Sequence, residues 1–174
     1  MAIHFLSLLL LCADGPSTGQ EPAPDAGDRL KTGHAVSREL SELPVPDLGT
    51  RKSGTDWPGF LGPEGNSKSY ERNILTNWPA EGPKKLWERQ LGTGYGMPSV
   101  SRGRLLHFDR QADQAQLVCL HSETGALLWT FSYQTDYEDL YGYNNGPRCC
   151  PLIDGDRVYI YGAEGMLHCL RITD

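Results

Sequence analysis

Apolar and polar positions alternate in short runs through the C-terminal two thirds of the chain, and the runs stop at glycine or at small polar clusters. Between 97 and 132 this pattern predicts four short strands, near 97–101, 104–109, 116–121 and 126–132. "SRG" separates the first pair and "ETGA" supplies glycine to the last hairpin. No window carries apolar residues at i, i+3, i+4 and i+7 except "AVSRELSEL", 35–43, where Leu40 and Leu43 share a face and about two helical turns are expected.

The strand pattern repeats. "MPSVSRGRLLHF", 97–108, matches "CPLIDGDRVYIY", 150–161, placing Pro98 on Pro151, Val100 on Ile153, Arg104 on Arg157 and Leu105 on Val158 at an offset of 53 residues. "LVCLHSETG", 117–125, matches "LHCLRITD", 167–174, with Cys119 on Cys169 and Leu120 on Leu170 at an offset of 50. A third match links "KKLW", 84–87, to "ALLW", 126–129, at an offset of 42. Periods of this size belong to propeller blades, each a four-stranded antiparallel sheet buried between its neighbours. The expected fold is therefore all-β, an incomplete β-propeller with one full blade, most of a second and an opening strand. Because propellers close with about four to eight blades, the chain is expected to be the N-terminal part of a longer one, with the remaining blades missing. Alone it should be marginal or prone to associate.

"VCLHSETGALLW", 118–129, resembles the repeat of the pyrroloquinoline-quinone-like (quinoprotein alcohol dehydrogenase-like) β-propeller family, whose blades read Leu-Asp-Ala-x-Thr-Gly-Lys-x-x-Trp. Thr124, Gly125 and Trp129 match, and His121 stands where the family has Asp. "DWPGFLGPEGN", 56–66, and the stretch 77–100 are similar to the opening segment of bacterial secreted propellers of this type. The resemblance covers 55–174 and implies that Trp87 and Trp129 pack blades together.

Composition agrees with short elements and many turns: 20 glycines and 12 prolines among 174 residues, with 39% apolar. Phe5 to Ala13 has the length of a signal-peptide apolar core and is too short to span a bilayer, so the chain is expected to be secreted or periplasmic and not transmembrane. The segment ahead of it lacks Lys and Arg; cleavage after Gly15 would place small residues at the processing site. The expected division is a signal peptide over 1–19, a flexible linker rich in Pro, Gly, Ser and acids over 20–54, and propeller repeats over 55–174. A net charge of -6 and the absence of any Lys/Arg run exclude a nucleic-acid partner.

Two places carry candidate chemistry. Cys149 and Cys150 lie side by side at the start of a blade's inner strand, where they read as small packing residues, as a vicinal disulfide favoured by export, or as a cofactor contact. The resemblance supplies the third reading, since quinone-dependent alcohol dehydrogenases of the superfamily stack such a pair on pyrroloquinoline quinone (PQQ) beside a Ca²⁺ ion. Here Pro151 follows the pair where Asp is usual, and the tryptophan floor and calcium ligands would come from other blades.

The second place is "YQTDYEDLYGYNNGPR", 133–148, which links two blades on the face where propellers bind ligands. Tyr137, Asp139, Tyr141, Tyr143, Asn144, Asn145 and Arg148 are its candidate ligand residues, because tyrosines beside amides and carboxylates stack on sugars or peptides while hydrogen-bonding them. Arg148 is placed to pair with one of the loop acids or with an anionic ligand. No metal is expected, since Cys119, His121, His168 and Cys169 show no zinc spacing and the two repeat-equivalent cysteines read as core thiols. There is no catalytic motif, and "GTGYG", 92–96, leads into a strand and so lacks the helix N-terminus of a phosphate loop. The sequence thus points to an exported, non-catalytic propeller module taking a protein or carbohydrate ligand, with no cofactor. The alternative is the N-terminal part of a PQQ-dependent oxidoreductase.

Overall fold

The hairpins legible in the sequence build two antiparallel sheets. The structure, a computed structural model, describes residues 44–50 and 53–173, and all of these fall in one compact unit, Leu40–Asp174. The signal segment, the helical turns at 35–43 and most of the linker lie outside the described residues. The first sheet has the order β1 (Ser99–Ser101), β2 (Arg104–Gln111), β3 (Gln114–His121), β4 (Leu127–Gln134). The second has β5 (Leu152–Asp154), β6 (Arg157–Tyr161) and β7 (Leu167–Arg171). Among the described residues there is no helix. The described residues are all-β, in sheets of four and three strands.

Turn chemistry sets the breaks. Arg102 and Gly103 both take positive φ between β1 and β2, and Gly155 does so at the repeat-equivalent turn, 53 residues on. The β2–β3 ladder runs to Gln111 and Gln114, two residues beyond the expected strand ends on each side. Ala112, at φ 54°, allows the chain to reverse in a tight turn there, so the polar residues at the tip still pair.

The core lies between the sheets. Leu106, Phe108, Leu117 and Cys119 project from β2 and β3 onto Ile153, Val158 and Ile160 of the second sheet, and each is buried. Trp129, Phe131 and Tyr133 close the β4 side. Burying several such side chains contributes about 2 kcal/mol each against the exposed state.

The two sheets stack head to tail. Residues equivalent in the repeat occupy opposite sides of the interface: Phe108 is fully buried in it, whereas Tyr161, its counterpart 53 residues on, lies on the far side of the second sheet and is 54% exposed. Cys119 is buried in the core and its counterpart Cys169 is exposed, which corrects the expectation that both are core thiols. Conversely, Val158 and Ile160 face the core while their counterparts Leu105 and His107 line a groove with Trp87 on the outer side of the first sheet. Every sheet therefore uses the same two faces for the same purposes.

Two tryptophans mark that repetition. Trp129 of β4 donates its indole N–H across the interface to the carbonyl of Ile172, at 3.0 Å. Trp87 donates to the carbonyl of Ser122, also at 3.0 Å, and Ser122 is the residue 50 before Ile172. Gly125, at φ 70°, leaves the space that the Trp87 ring fills. Segment 84–91 thus holds, against the first sheet, the place that β4 holds against the second.

Candidate functional site

The loop that leaves β4 and returns to β5 is folded around one carboxylate. Asp139 Oδ1 accepts from Arg148 Nη2 at 2.7 Å, and Oδ2 accepts from the Tyr143 backbone N–H at 2.8 Å. Its own N–H donates to Asn145 Oδ1 at 2.8 Å, and its carbonyl accepts from Gly142. The Asp139 side chain is 8% exposed, so these bonds stand in for the water it lost. Asn144 Oδ1 accepts from Gly146 N–H and fixes the last turn.

The rest of the fold holds this loop from behind. Arg110, at the end of β2, donates from Nη1 to the carbonyls of Tyr137 and Asn145 and from Nε to Ala112. Tyr95 N–H donates to Pro147 O at 2.8 Å. A Cβ on Gly146 would run into the backbone of Thr93, so that crossing requires glycine. The Arg148 guanidinium lies 5.5 Å from the ring centre of Tyr137 and 6.0 Å from that of Tyr95, within cation–π range of both.

Between the loop and the β2–β3 turn opens a cleft of about 790 Å³. Asp139, Tyr143, Asn144 and Asn145 wall one side, with Glu138, and Arg110 and Gln111 wall the other. Tyr141 stacks on Tyr143, with ring centres 6.2 Å apart and planes at 29°, and both rings are largely exposed. Tyr137, Tyr141 and Arg148 are not on the cleft wall; Tyr137 and Arg148 support it, and Tyr141 stands beside it through its stack on Tyr143. Arg110, Gln111, Leu91 and Thr93, which also line the cleft, carry no signal in the sequence because only the fold brings them to the loop.

Cys149 and Cys150 precede β5 rather than open it, and both are free thiols. Cys149 Sγ lies against the backbone of Tyr161, 3.2 Å from its N and 3.0 Å from its O. Burial pushes this thiol's pKa up. Cys150 Sγ accepts from Met97 N–H at 3.1 Å. One sulfur is thus tied to β6 and the other to the approach to β1, and the pair brackets the two sheets. Phe60, Tyr95, Arg148 and Leu152 complete a smaller cleft of about 360 Å³ beside them. The resemblance implies that the two sulfurs act as a pair on a quinone; here they are committed to different backbone partners, Cys149 to Tyr161 and Cys150 to Met97.

No protein-family model and no curated protein matches this chain.

Proposed function

We propose that the chain is an exported binding or scaffold module of the propeller type, non-catalytic, whose ligand face is the cleft beside residues 137–148. The reading of the architecture rests on head-to-tail stacking and on the paired tryptophan contacts, which are the relations that a ring of like sheets needs. The single observation that carries the reading of the site is the cleft walled by a loop whose backbone is fixed before any ligand arrives. A preorganised polar loop loses little conformational freedom on binding. The exposed rings of Tyr141 and Tyr143, with the amides of Asn144 and Asn145 and the Glu138 carboxylate beside them, suit a protein segment or a carbohydrate. Aromatic faces take the apolar side of such a ligand, and the amides and acid take its hydrogen bonds. The net charge of -6 argues against anionic partners such as nucleic acid.

The test is site-specific photo-crosslinking in the native cell envelope, with p-benzoylphenylalanine placed at Tyr143 and, as control, at Met166 on the β6–β7 turn. An adduct at 143 and none at 166 is the expected outcome. A chain that gives no adduct at 143, or equal labelling at both positions, does not bind its partner through this cleft.

A further inference from the structure

Backbone donors on both walls of the cleft beside residues 137–148 are spent on the fold. On the loop side the N–H groups of Asp139, Gly142, Tyr143 and Gly146 all donate to acceptors within the loop. On the opposite side Thr93 and Arg110 exchange both of their backbone hydrogen bonds, and Gly92 N–H donates to Asp109 Oδ2. These stretches offer no strand edge along which a peptide could pair, so recognition falls to side chains.

The side chains left over form a definite set. Asn144 and Asn145 each use the amide oxygen to accept from the loop backbone, and among the described residues neither Nδ2 has a partner, so both present an NH₂ group. Arg110 holds the loop through Nε and Nη1 and keeps Nη2. Glu138 is exposed, and among the described residues its carboxylate makes no hydrogen bond or ion pair. Beside them stands the Tyr143 ring, 80% exposed and backed by Tyr141. The cleft thus combines an open aromatic face with clustered donors and one strong acceptor.

We propose that this cleft takes a neutral oligosaccharide, an inference that rests on the cleft being the chain's ligand face. A pyranose ring has a face of C–H groups, which packs on Tyr143, and a rim of hydroxyls that each donate and accept. Its oxygens accept from the two asparagine amides and from Arg110 Nη2, while a hydroxyl donates to Glu138. An acidic sugar would meet Glu138 and a net charge of -6. A cationic ligand would find Asp139 already taken by Arg148. At about 790 Å³ the cleft exceeds what one sugar ring fills, so the ligand is a chain of sugars.

The experiment titrates the full chain with neutral β-1,4-linked hexasaccharides of glucose, mannose, galactose, xylose and N-acetylglucosamine, each to about 10 mM, and follows its NMR signals. The result expected with at least one of them is a saturable shift of the Asn144 and Asn145 side-chain NH₂ signals and of the Tyr143 ring protons. That shift should persist when NaCl is raised to about 0.5 M. Tyr143→Ala keeps the N–H that Asp139 accepts and should weaken the hexasaccharide about tenfold. Met166→Ala should leave the affinity unchanged. Silence of those signals toward all of the sugars overturns the proposal, as does wild-type affinity in Tyr143→Ala. The photo-crosslink at position 143 tells this failure from that of the binding face itself. A protein adduct there without sugar binding keeps the cleft and makes its ligand a polypeptide, whereas the loss of both signals removes both readings.

Discussion

The indole N–H of Trp129 meets the carbonyl oxygen of Ile172 at 3.0 Å, joining the outermost strand of the first sheet to the turn beyond β7 in the second. That bond and the ring's packing against the core tie the two sheets at their outer ends. Trp129→Phe keeps most of the packing and leaves the Ile172 carbonyl without its donor, an expected loss of about 1 kcal/mol. Trp129→Ala also removes the ring and should cost about 3 kcal/mol. Urea titrations should show the midpoint falling in that order with an unchanged slope. Trp87→Phe, whose ring anchors only an unpaired segment, should move the midpoint much less than Trp129→Phe; equal losses would show that 84–91 belongs to the cooperative core.

The Asp139–Arg148 pair makes a local prediction. Asp139 is almost enclosed, but the Arg148 side chain is 41% exposed, so solvent screening limits the value of the charge interaction to about 1 kcal/mol. Asp139→Asn keeps the shape, weakens the Arg148 bond and replaces the acceptor of the Tyr143 N–H with either an amide oxygen or an NH₂. Hydrogen exchange should therefore speed up at Gly142, Tyr143 and Gly146, with the amides of β2 and β3 unchanged. Uniform loss of protection across β2 and β3 would mean that the loop is part of the core rather than a unit hung from it.

The strands were legible because alternation and turn residues act locally. Which face of each sheet meets the other was not, since adjacent residues such as Leu105 and Leu106 are both apolar and a sheet buried on two sides shows no hydrophobic face in its sequence. Only the stacking assigned Leu106 to the core and Leu105 to the groove. The same reason explains Cys169: repeat alignment equates it with Cys119, but among the described residues no sheet packs on its face. In the loop, an ion pair of Arg148 with a loop acid was one of two readings the residues left open, whereas the role of Asp139 as hub depends on the turn at Gly142 and on Asn145. Arg110, 27 residues from the Tyr137 carbonyl it holds, gave no sign of belonging there.

His107 makes stability depend on pH. Burial lowers its pKa below the ordinary imidazole value of 6.5, and Arg89 lowers it further, while Asp109, with Oδ2 at 3.7 Å from Nε2, works in the opposite direction. The unfolded chain therefore binds a proton at this residue more readily than the folded one. The neutral imidazole's contribution is complete above 6.5, is lost progressively as pH falls from 6.5 toward the lower folded value, and stays lost below it. Urea midpoints measured across that interval should fall in the wild type and flatten in His107→Gln. The same slope in the variant would assign the effect to other groups.

The thiols should react in an order set by burial. Cys119 lies in the core, and desolvation pushes its pKa up to about 12 against the opposing pull of Arg104, so it holds almost no thiolate until the sheets separate. Cys149 and Cys150 are half-buried and bonded to the Tyr161 and Met97 backbones, which slows them. Cys169 is exposed on the open face of the second sheet. Among the four cysteines of the described residues, peptide mapping after a timed pulse of iodoacetamide on dilute protein should find Cys169 modified first, the adjacent pair later and Cys119 only in urea. Early loss of Cys149 and Cys150 together, with recovery of a bonded pair under non-reducing conditions, would replace the bracket between the sheets with a vicinal disulfide.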